Sequence, residues 1–243
     1  MSDAALDPAE RSGILRDSLA VGVATGAYGL GFGAVSVASG LSVAQTCVLS
    51  LLMFTGASQF ALVGVVAAGG TPLSGAATAL LLGTRNTLYG LRMAPLLQWR
   101  GWRRAGAAHV LIDESTAMSV GRDSTPATRL GFLATGTAVF VLWNLATLVG
   151  ALAGGAVGDP RTFGLDAAVA AAFLALLWPR LADRRNVLVG VLAAAVALSL
   201  VPVSAAGVPV LAAGGVALLV GVLARRQDPT EIPGPDDVAG GHG

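Results

Sequence analysis

The longest uncharged stretch of the chain constrains its fold more than any other feature. From Leu19 to Thr84 there are 66 consecutive residues without aspartate, glutamate, lysine or arginine. A helix needs only about 20 apolar residues to cross the hydrocarbon core of a bilayer, and the core of a soluble domain does not need a run of this length. Two similar runs follow at residues 130–158 and 186–224. These stretches predict an all-α, polytopic integral membrane protein.

The composition agrees with this fold class and excludes others. The chain is 54% hydrophobic and only 12% charged, whereas soluble domains carry about a quarter charged residues. Its net charge of +1 provides no basic surface for nucleic acid. The single cysteine, Cys47, lies in an apolar run and is expected to be a small buried side chain.

Breaker residues divide the apolar sequence into about seven helical spans, within one transmembrane domain over residues 19–224. A polar segment, residues 1–18, precedes this domain without the pattern of a cleavable signal peptide. The tail, residues 225–243, is rich in proline, glycine and aspartate and is expected to be disordered. The spans are predicted near 19–38, 43–67, 72–97, 129–154, 165–181, 186–202 and 206–224. The tripeptides Gly40-Leu41-Ser42 and Gly164-Leu165-Asp166 suggest a possible internal repeat.

The arginines indicate the orientation, because cytoplasmic loops carry an excess of positive residues. Arginine clusters at 100–104, 122–129, 180–185 and 225–226 mark cytoplasmic loops. Seven crossings then place the N-terminus outside, although it carries Arg11 and Arg16. In the alternative, residues 43–67 enter the membrane and return without crossing, which leaves both termini inside. The acidic residues near the N-terminus slightly favour the version with seven crossings.

Arg85 is the most informative single residue, because it lies near the centre of the span at 72–97. An unpaired cation at that depth costs several kcal/mol. Asn86 and Tyr89 belong to the same polar island, and Tyr89 shares a helix face with Arg85. We expect this face to line a cavity in which Arg85 binds a carboxylate, from either the substrate or an acidic residue of the chain. The alternative is a structural ion pair without a ligand.

A second polar group, Gly56, Ser58 and Gln59, interrupts the apolar segment at 43–67. A helix break here would offer free backbone amides to an anion and free carbonyls to a cation, as binding a zwitterion requires. The alternative is close helix packing through small residues. Packing is the better interpretation of Gly29 and Gly33, which have GxxxG spacing.

Asp113 and Glu114 lie in a segment, residues 105–121, that is too short and too charged to cross a bilayer. A half-helix or an interfacial helix is expected, with His109, Asp113 and Thr116 on one stripe. The two acids could carry protons, pair with Arg85, or simply face solvent.

Asn144, beside Trp143 in an apolar run, is a further candidate for substrate binding or for a hydrogen bond between helices. The chain has no GxSxG, HExxH, Walker or CxxC motif. No enzymatic activity, cofactor or metal is therefore expected, and a membrane enzyme using His109 with Asp113 is a distant third hypothesis.

Four segments, in order and spacing, resemble the AzlC family, the large subunit of bacterial branched-chain amino-acid exporters. They are GLGFGAVSVASGLS, FTGASQFALVG, TRNTLYGLRMAP and IDESTAM. The resemblance is strongest over residues 20–120, and the usual Arg-His pair of the family stands here as Arg85-Asn86. It implies export of valine, leucine, isoleucine or methionine across the cytoplasmic membrane. It also implies a small membrane partner of the AzlD type.

The leading hypothesis is therefore a secondary transporter, since the chain has no ATP-binding loop and an ion or proton gradient would have to drive it. Arg85 or the amides near Gly56 would hold the substrate carboxylate, and Asn144, a carbonyl or an acid would accept its amine. Asp113 or Glu114 would couple transport to the gradient. The second hypothesis is a membrane scaffold or assembly subunit without its own transport site.

Overall fold

The computed structural model describes residues 6–156, 174 and 178–227, and all regular structure in these residues is helical. The all-α prediction is confirmed for this part of the chain. The helices are α1 (Pro8–Ala38), α2 (Val43–Leu52), α3 (Ala57–Ala67), α4 (Pro72–Leu97), α5 (Gly101–His109), α6 (Asp113–Ala117), α7 (Thr125–Ala156), α8 (Arg184–Leu200) and α9 (Val208–Gln227), with a 3-10 turn at Trp178–Ala182.

The chain divides into two compact units, residues 1–179 and residues 180–243. In the second unit, α8 and α9 pack against each other as a helical hairpin, close to the spans predicted at 186–202 and 206–224. Most of the predicted span at 165–181, the second G-L-D tripeptide and residues 228–243 of the predicted tail lie outside the described residues. Seven spans and an internal repeat therefore stay predictions.

Helix α1 begins at Pro8, eleven residues before the predicted start of the first span. Proline suits the first turn of a helix, where its missing N–H has no partner to lose. The 31 residues of α1 extend for about 46 Å, more than the ~30 Å of hydrocarbon in a bilayer. Its charged first turns can therefore stand outside the apolar layer, while Ile14 is already buried.

Helices α1 and α7 pack side by side and run parallel. The Ser18 hydroxyl lies 2.9 Å from the Thr135 hydroxyl, and Gly33, fifteen residues later, lies against the Thr147 backbone. The contacts between the two helices thus move toward the C-terminus of α1 and toward the C-terminus of α7 together. We call the end where both helices begin the start end, and the opposite end the far end.

Glycines allow α1 and α7 to approach closely. A Cβ placed on Gly29 would lie only 2.6 Å from the Trp143 carbonyl oxygen, whereas one on Gly31 would meet nothing within 4 Å. The packing interpretation of Gly29 and Gly33 is confirmed. The glycines of α1 that contact α7 are Gly22, Gly26, Gly29 and Gly33.

Helix α2 returns from the far end toward the middle of α7. The Ser50 hydroxyl is 3.4 Å from the Thr147 hydroxyl, and four residues later the Phe54 ring is 5.1 Å from the Phe140 ring. From Ser50 to Phe54 the contacts move toward the N-terminus of α7, so this segment runs antiparallel to α7. Helix α2 ends near the middle of α7.

Helix α3 then turns back instead of continuing across. It runs antiparallel to the first half of α4, because Leu62 lies beside Gly75 and Ser58 beside Gly83. Helix α4 ends at the start end, where the Leu97 carbonyl accepts a hydrogen bond of 2.9 Å from Arg129 Nε. The first half of α4 therefore lies toward the far end, and so does the end of α3.

Residues 43–67 thus form a re-entrant hairpin, which we call the far hairpin. The expected break is confirmed at residues 53–56, where Gly56 has φ = 60°, a conformation that favours glycine. Within the described residues this segment enters and returns at the same end of the first unit, as the alternative without a crossing predicted, and it does not continue across as a single span. The number of crossings in the whole chain stays a prediction.

Helices α5 and α6 form a second hairpin, the start hairpin, which enters from the opposite end. Ala107 packs near the start of α7 with Phe132, and Val110 lies deeper, against Gly136. After the turn, the Met118 carbonyl is again beside Gly131. The half-helix prediction is confirmed, but the predicted continuous stripe is wrong, because the helix is interrupted at residues 110–112.

The outer surface of the first unit is apolar. Leu73, Leu80 and Leu91 of α4 are 80%, 73% and 70% exposed, a pattern that marks lipid or protein contact. By length and composition, two described helices could cross a bilayer, over Pro8–Ala38 and Thr125–Gly155. Helix α4 has 26 residues, about 39 Å, and is also long enough, although it contains two arginines.

The arginines of the first unit are distributed unevenly. Among residues 6–156, every arginine except Arg85 belongs to a segment at or near the start end, and the far-end connections at 39–42 and 68–71 contain none. Those near the start end are Arg11, Arg16, Arg92, Arg100, Arg103, Arg104, Arg122 and Arg129.

Candidate functional site

The breaks of the two hairpins meet at consecutive residues of α4. Arg85 Nη2 donates a hydrogen bond of 3.2 Å to the Thr55 carbonyl in the break of the far hairpin. Asn86 Nδ2 donates one of 3.2 Å to the Leu111 carbonyl in the break of the start hairpin. A break leaves such carbonyls outside regular helix ladders, so side chains must satisfy them.

Arg85 also forms an ion pair with Asp113, the first residue of α6. Their Nη1 and Oδ2 atoms are 3.1 Å apart, and the two side chains are 35% and 32% exposed. Among the predicted partners of Arg85, the structure shows this acid. Because about a third of each side chain remains exposed, the pair can still be reached by a ligand.

Glu114 follows Asp113 and faces α1. Its carboxyl group lies near Thr25 of α1 and near the charges of Asp113 and Arg85. The two predicted coupling residues therefore lie beside Arg85, where α1, α4 and α6 meet.

Gln59 holds the break of the far hairpin. Its side-chain oxygen accepts a hydrogen bond of 3.1 Å from the Gly56 N–H, and its amide nitrogen lies 3.5 Å from the Leu49 carbonyl. Gln59 is fully buried. The oxygen and the nitrogen of its amide thus both contact backbone groups of the far hairpin. Gln59 therefore has a structural role at the predicted site.

Ser115 has the equivalent position in the start hairpin, three residues after the helix cap. It accepts a hydrogen bond of 3.0 Å from the Ile112 N–H and donates one of 2.8 Å to the Val110 carbonyl. Ser115 was not among the predicted site residues, although it lies in the IDESTAM segment. The available signal was a polar side chain at the third position of a helix, where it can reach back to the backbone as in a capping box.

Several buried polar atoms around the breaks have no hydrogen-bonding partner within the described residues. Buried polar groups are nearly always paired, so a concentration of unpaired ones is typical of a site for a polar ligand or water. Those on the hairpins and α4 include Thr46 Oγ1, Thr55 Oγ1, Ser58 Oγ, Arg85 Nε, Asn86 Oδ1 and Thr116 Oγ1. Ser58, a predicted site residue, faces α4 near Gly83.

Aromatic side chains form an apolar wall beside the break of the far hairpin. The Trp143 ring packs on Phe32 and Phe60, with centroids 6.1 and 6.4 Å away. A Cβ at Gly56 would lie 3.8 Å from the same indole. The site thus combines a charged and polar centre with an apolar flank.

Three other candidates have less direct positions. Asn144 Nδ2 bonds the Phe140 carbonyl of its own helix at 2.8 Å, so the described contacts do not include the predicted hydrogen bond to another helix. Tyr89 is half-buried one turn after Arg85. His109 is exposed and lies against the Phe140 ring at 5.5 Å. The roles of Asn144 and Tyr89 in substrate binding stay predictions, and so does the acid–base role of His109 in the enzyme hypothesis.

Comparison with known proteins now bears on this arrangement. A family model described as AzlC protein matches residues 20–157, more than half of the chain. The chain belongs to the AzlC family. The match includes both hairpins, α4, α7 and residues 20–38 of α1, so the whole candidate site lies within the family region.

Two relatives from Helicobacter pylori, strains 26695 and J99, are each described as an uncharacterized membrane protein. Each is 26% identical over 179 residues, which cover 71% of this chain and 77% of the relative. No solved structure matches the chain. Family membership, these relatives and the apolar helices together identify a membrane protein.

Proposed function

We propose that this chain is the transport subunit of a secondary exporter for branched-chain and other hydrophobic amino acids, including valine, leucine, isoleucine and methionine. One observation carries the proposal: Arg85 lies between two helix breaks that enter from opposite ends. Transporters commonly place their substrate sites at such breaks near the middle of the membrane. The function implied by AzlC membership agrees with this geometry.

The orientation follows from the arginines of the first unit. Their accumulation at the start end supports a cytoplasmic location for that end in a bacterial inner membrane. The far hairpin then opens to the outside and the start hairpin to the cytoplasm. The N-terminus lies inside, so Arg11 and Arg16 no longer conflict with the rule.

The site has the groups that a zwitterion with an apolar side chain requires. Arg85 binds the carboxylate, sharing its guanidinium with Asp113, which in turn attracts the amine. The unpaired oxygen of Asn86 offers a further acceptor. An open groove of about 720 Å³ beside the break, lined by Leu49, Met53 and other mostly apolar residues, receives the aliphatic part; this volume is in the usual range for ligand sites.

Asp113 and Glu114 are the residues proposed to couple export to a proton or ion gradient. A carboxylate within the membrane is costly unless it is paired or neutralised, so substrate binding at Arg85 would change the energy of the Asp113 charge. A small membrane subunit of the AzlD type is the proposed partner, and the chain is proposed to have no enzymatic activity of its own.

Efflux from amino-acid-loaded cells tests the function. Cells expressing this chain with its candidate small partner should lose leucine, valine and methionine faster than cells expressing the partner alone. Lysine efflux should stay unchanged, because its charged side chain would find no partner in the apolar groove. Equal efflux in both strains, for all three aliphatic substrates, would refute the exporter.

The scaffold hypothesis is favoured by one feature, the ion pair that already occupies Arg85. Substitution Arg85→Gln separates the two functions, with Arg92→Gln on the same helix as the matched control. A transport site predicts lost efflux while the complex with the small subunit still purifies intact. A scaffold role predicts lost assembly.

A further inference from the structure

Two grooves of the first unit meet beside Asn86 of α4. The far groove, of about 720 Å³, reaches from Leu41 at the far end to the breaks. The start groove, of about 470 Å³, reaches from Trp99 and Arg104 at the start end to the same place. Asn86 is the α4 residue that lines the far groove, whereas the start groove follows α4 from Asn86 to Leu97.

The two grooves share three lining residues, Asn86, Ala108 and Leu111. Asn86 and Leu111 are joined there by the 3.2 Å hydrogen bond from Nδ2 to the carbonyl. The Leu111 side chain also approaches α4, with Cδ2 3.5 Å from a Cβ placed on Gly90. The boundary between the two grooves is therefore formed by the Asn86 side chain, the turn residue Leu111 and Ala108.

This contact can be broken without unfolding a helix. Leu111 lies in the turn between α5 and α6, so its carbonyl is not part of a helix interior. A neutral hydrogen bond contributes only about 0.5–1.5 kcal/mol net. An amino acid at the breaks offers both an ammonium donor for the Leu111 carbonyl and a carboxylate acceptor for the Asn86 amide, so it can replace both halves of the bond.

We infer that the Asn86–Leu111 hydrogen bond is the partition between two successive binding grooves on one permeation path for aliphatic amino acids. The inference rests on the proposed function and adds the route and the residue that closes it. Substrate leaves the start groove, replaces the bond at Asn86 and enters the far groove. Selectivity arises along the path, because mostly apolar walls penalise a polar side chain that loses its water.

The first test measures downhill leucine flux in vesicles that contain the chain and its small partner. Asn86→Ala removes the bond and should raise flux several-fold over the wild type. Thr84→Ala is the matched control on the same helix and should leave flux unchanged, since Thr84 lines neither groove and its hydroxyl bonds the Leu81 carbonyl of its own helix. Flux in Asn86→Ala that equals or falls below that of the control would overturn the partition.

The second test closes the partition covalently. The double variant Gly90→Cys/Leu111→Cys, in a Cys47→Ser background, is cross-linked with a short bifunctional reagent that forms a disulfide with each thiol. Mass spectrometry verifies the cross-link. Leucine flux should fall to that of protein-free vesicles and recover after reduction. A joined protein that transports at the unjoined rate would overturn the inference.

A matched pair, Val37→Cys with Gly155→Cys, controls for cross-linking itself. These residues join α1 to α7, where a Cβ on Gly155 lies 4.0 Å from Val37 Cγ1, and joining them should preserve flux. The wild-type vesicles report separately on the proposed function: without leucine flux there, the exporter fails. With such flux but no effect of the Gly90–Leu111 link, only the partition fails.

Discussion

The close approach of α1 and α7 predicts opposite effects for two neighbouring glycine substitutions. In Gly29→Ala the new Cβ would lie 2.6 Å from the Trp143 carbonyl oxygen. Ordinary contact begins near 3.4 Å, so the helices must separate locally by about 0.8 Å. Such overpacking typically costs about 1–3 kcal/mol, and helix backbones cannot rotate away as a flexible side chain can.

Gly31→Ala is the control on the same helix. Its Cβ would meet nothing within 4 Å, and alanine in a helix interior is more favourable than glycine by about 0.5–1 kcal/mol. Gly29→Ala should therefore lower the unfolding midpoint while Gly31→Ala leaves it unchanged or raises it. In a chain of this size 1 kcal/mol corresponds to about 2–4 °C.

The half-buried Cys47 of α2 provides the assay, since no other cysteine is present. Purified protein in detergent is heated with a dye that fluoresces on reaction with thiols, and the midpoint of Cys47 exposure is recorded. If Gly29→Ala unfolds at the same temperature as Gly31→Ala, the close α1–α7 contact is not a determinant of stability.

Two further predictions concern the breaks. Arg85→Gln and Asp113→Asn should each lower the unfolding midpoint, but the double variant should lose less than the sum, with a coupling of about 0.5–3 kcal/mol; additive losses in thermal unfolding would contradict the ion pair. Gln59→Leu should cost about 1–3 kcal/mol, because the Gly56 N–H loses its buried acceptor, and limited proteolysis near residues 53–56 should accelerate; unchanged cleavage would contradict the bracing role of Gln59.

The sequence predicted a break at Gly56 as one of two alternatives, because glycine with small polar neighbours suits either a helix break or close helix packing. It did not predict the direction of α3 after the break. Apolar runs of the same length result from a crossing and from a hairpin whose two halves are buried. Only contacts such as Leu62 with Gly75 and Leu97 with Arg129 distinguish the two, and both join residues distant in sequence.

The candidate site was predictable to a similar degree. An arginine at the middle of a membrane span requires a partner. Asp113 and Glu114 were the candidate acidic partners, so an ion pair of Arg85 with Asp113 could be expected. The roles of Thr55 and Leu111 could not, because each contributes a backbone carbonyl whose availability depends on the break and not on its side chain. Ser115 was missed for a related reason: its hydroxyl serves the backbone of a turn that the helical periodicity did not predict.

Arg85 and Asn86, the two consecutive residues of α4 that bond the hairpins, do not have the same partners. Consecutive residues of an α-helix point about 100° apart, so the two side chains face different sides of α4. Asn86 bonds the start hairpin at the Leu111 carbonyl, whereas Arg85 bonds both hairpins, the far one at the Thr55 carbonyl and the start one at Asp113. Breaking the Asn86 bond therefore frees the Leu111 turn while Arg85 still holds both hairpins, whereas losing Arg85 removes a contact to each of them. Asn86 is thus the residue of α4 whose bond can open without releasing the far hairpin.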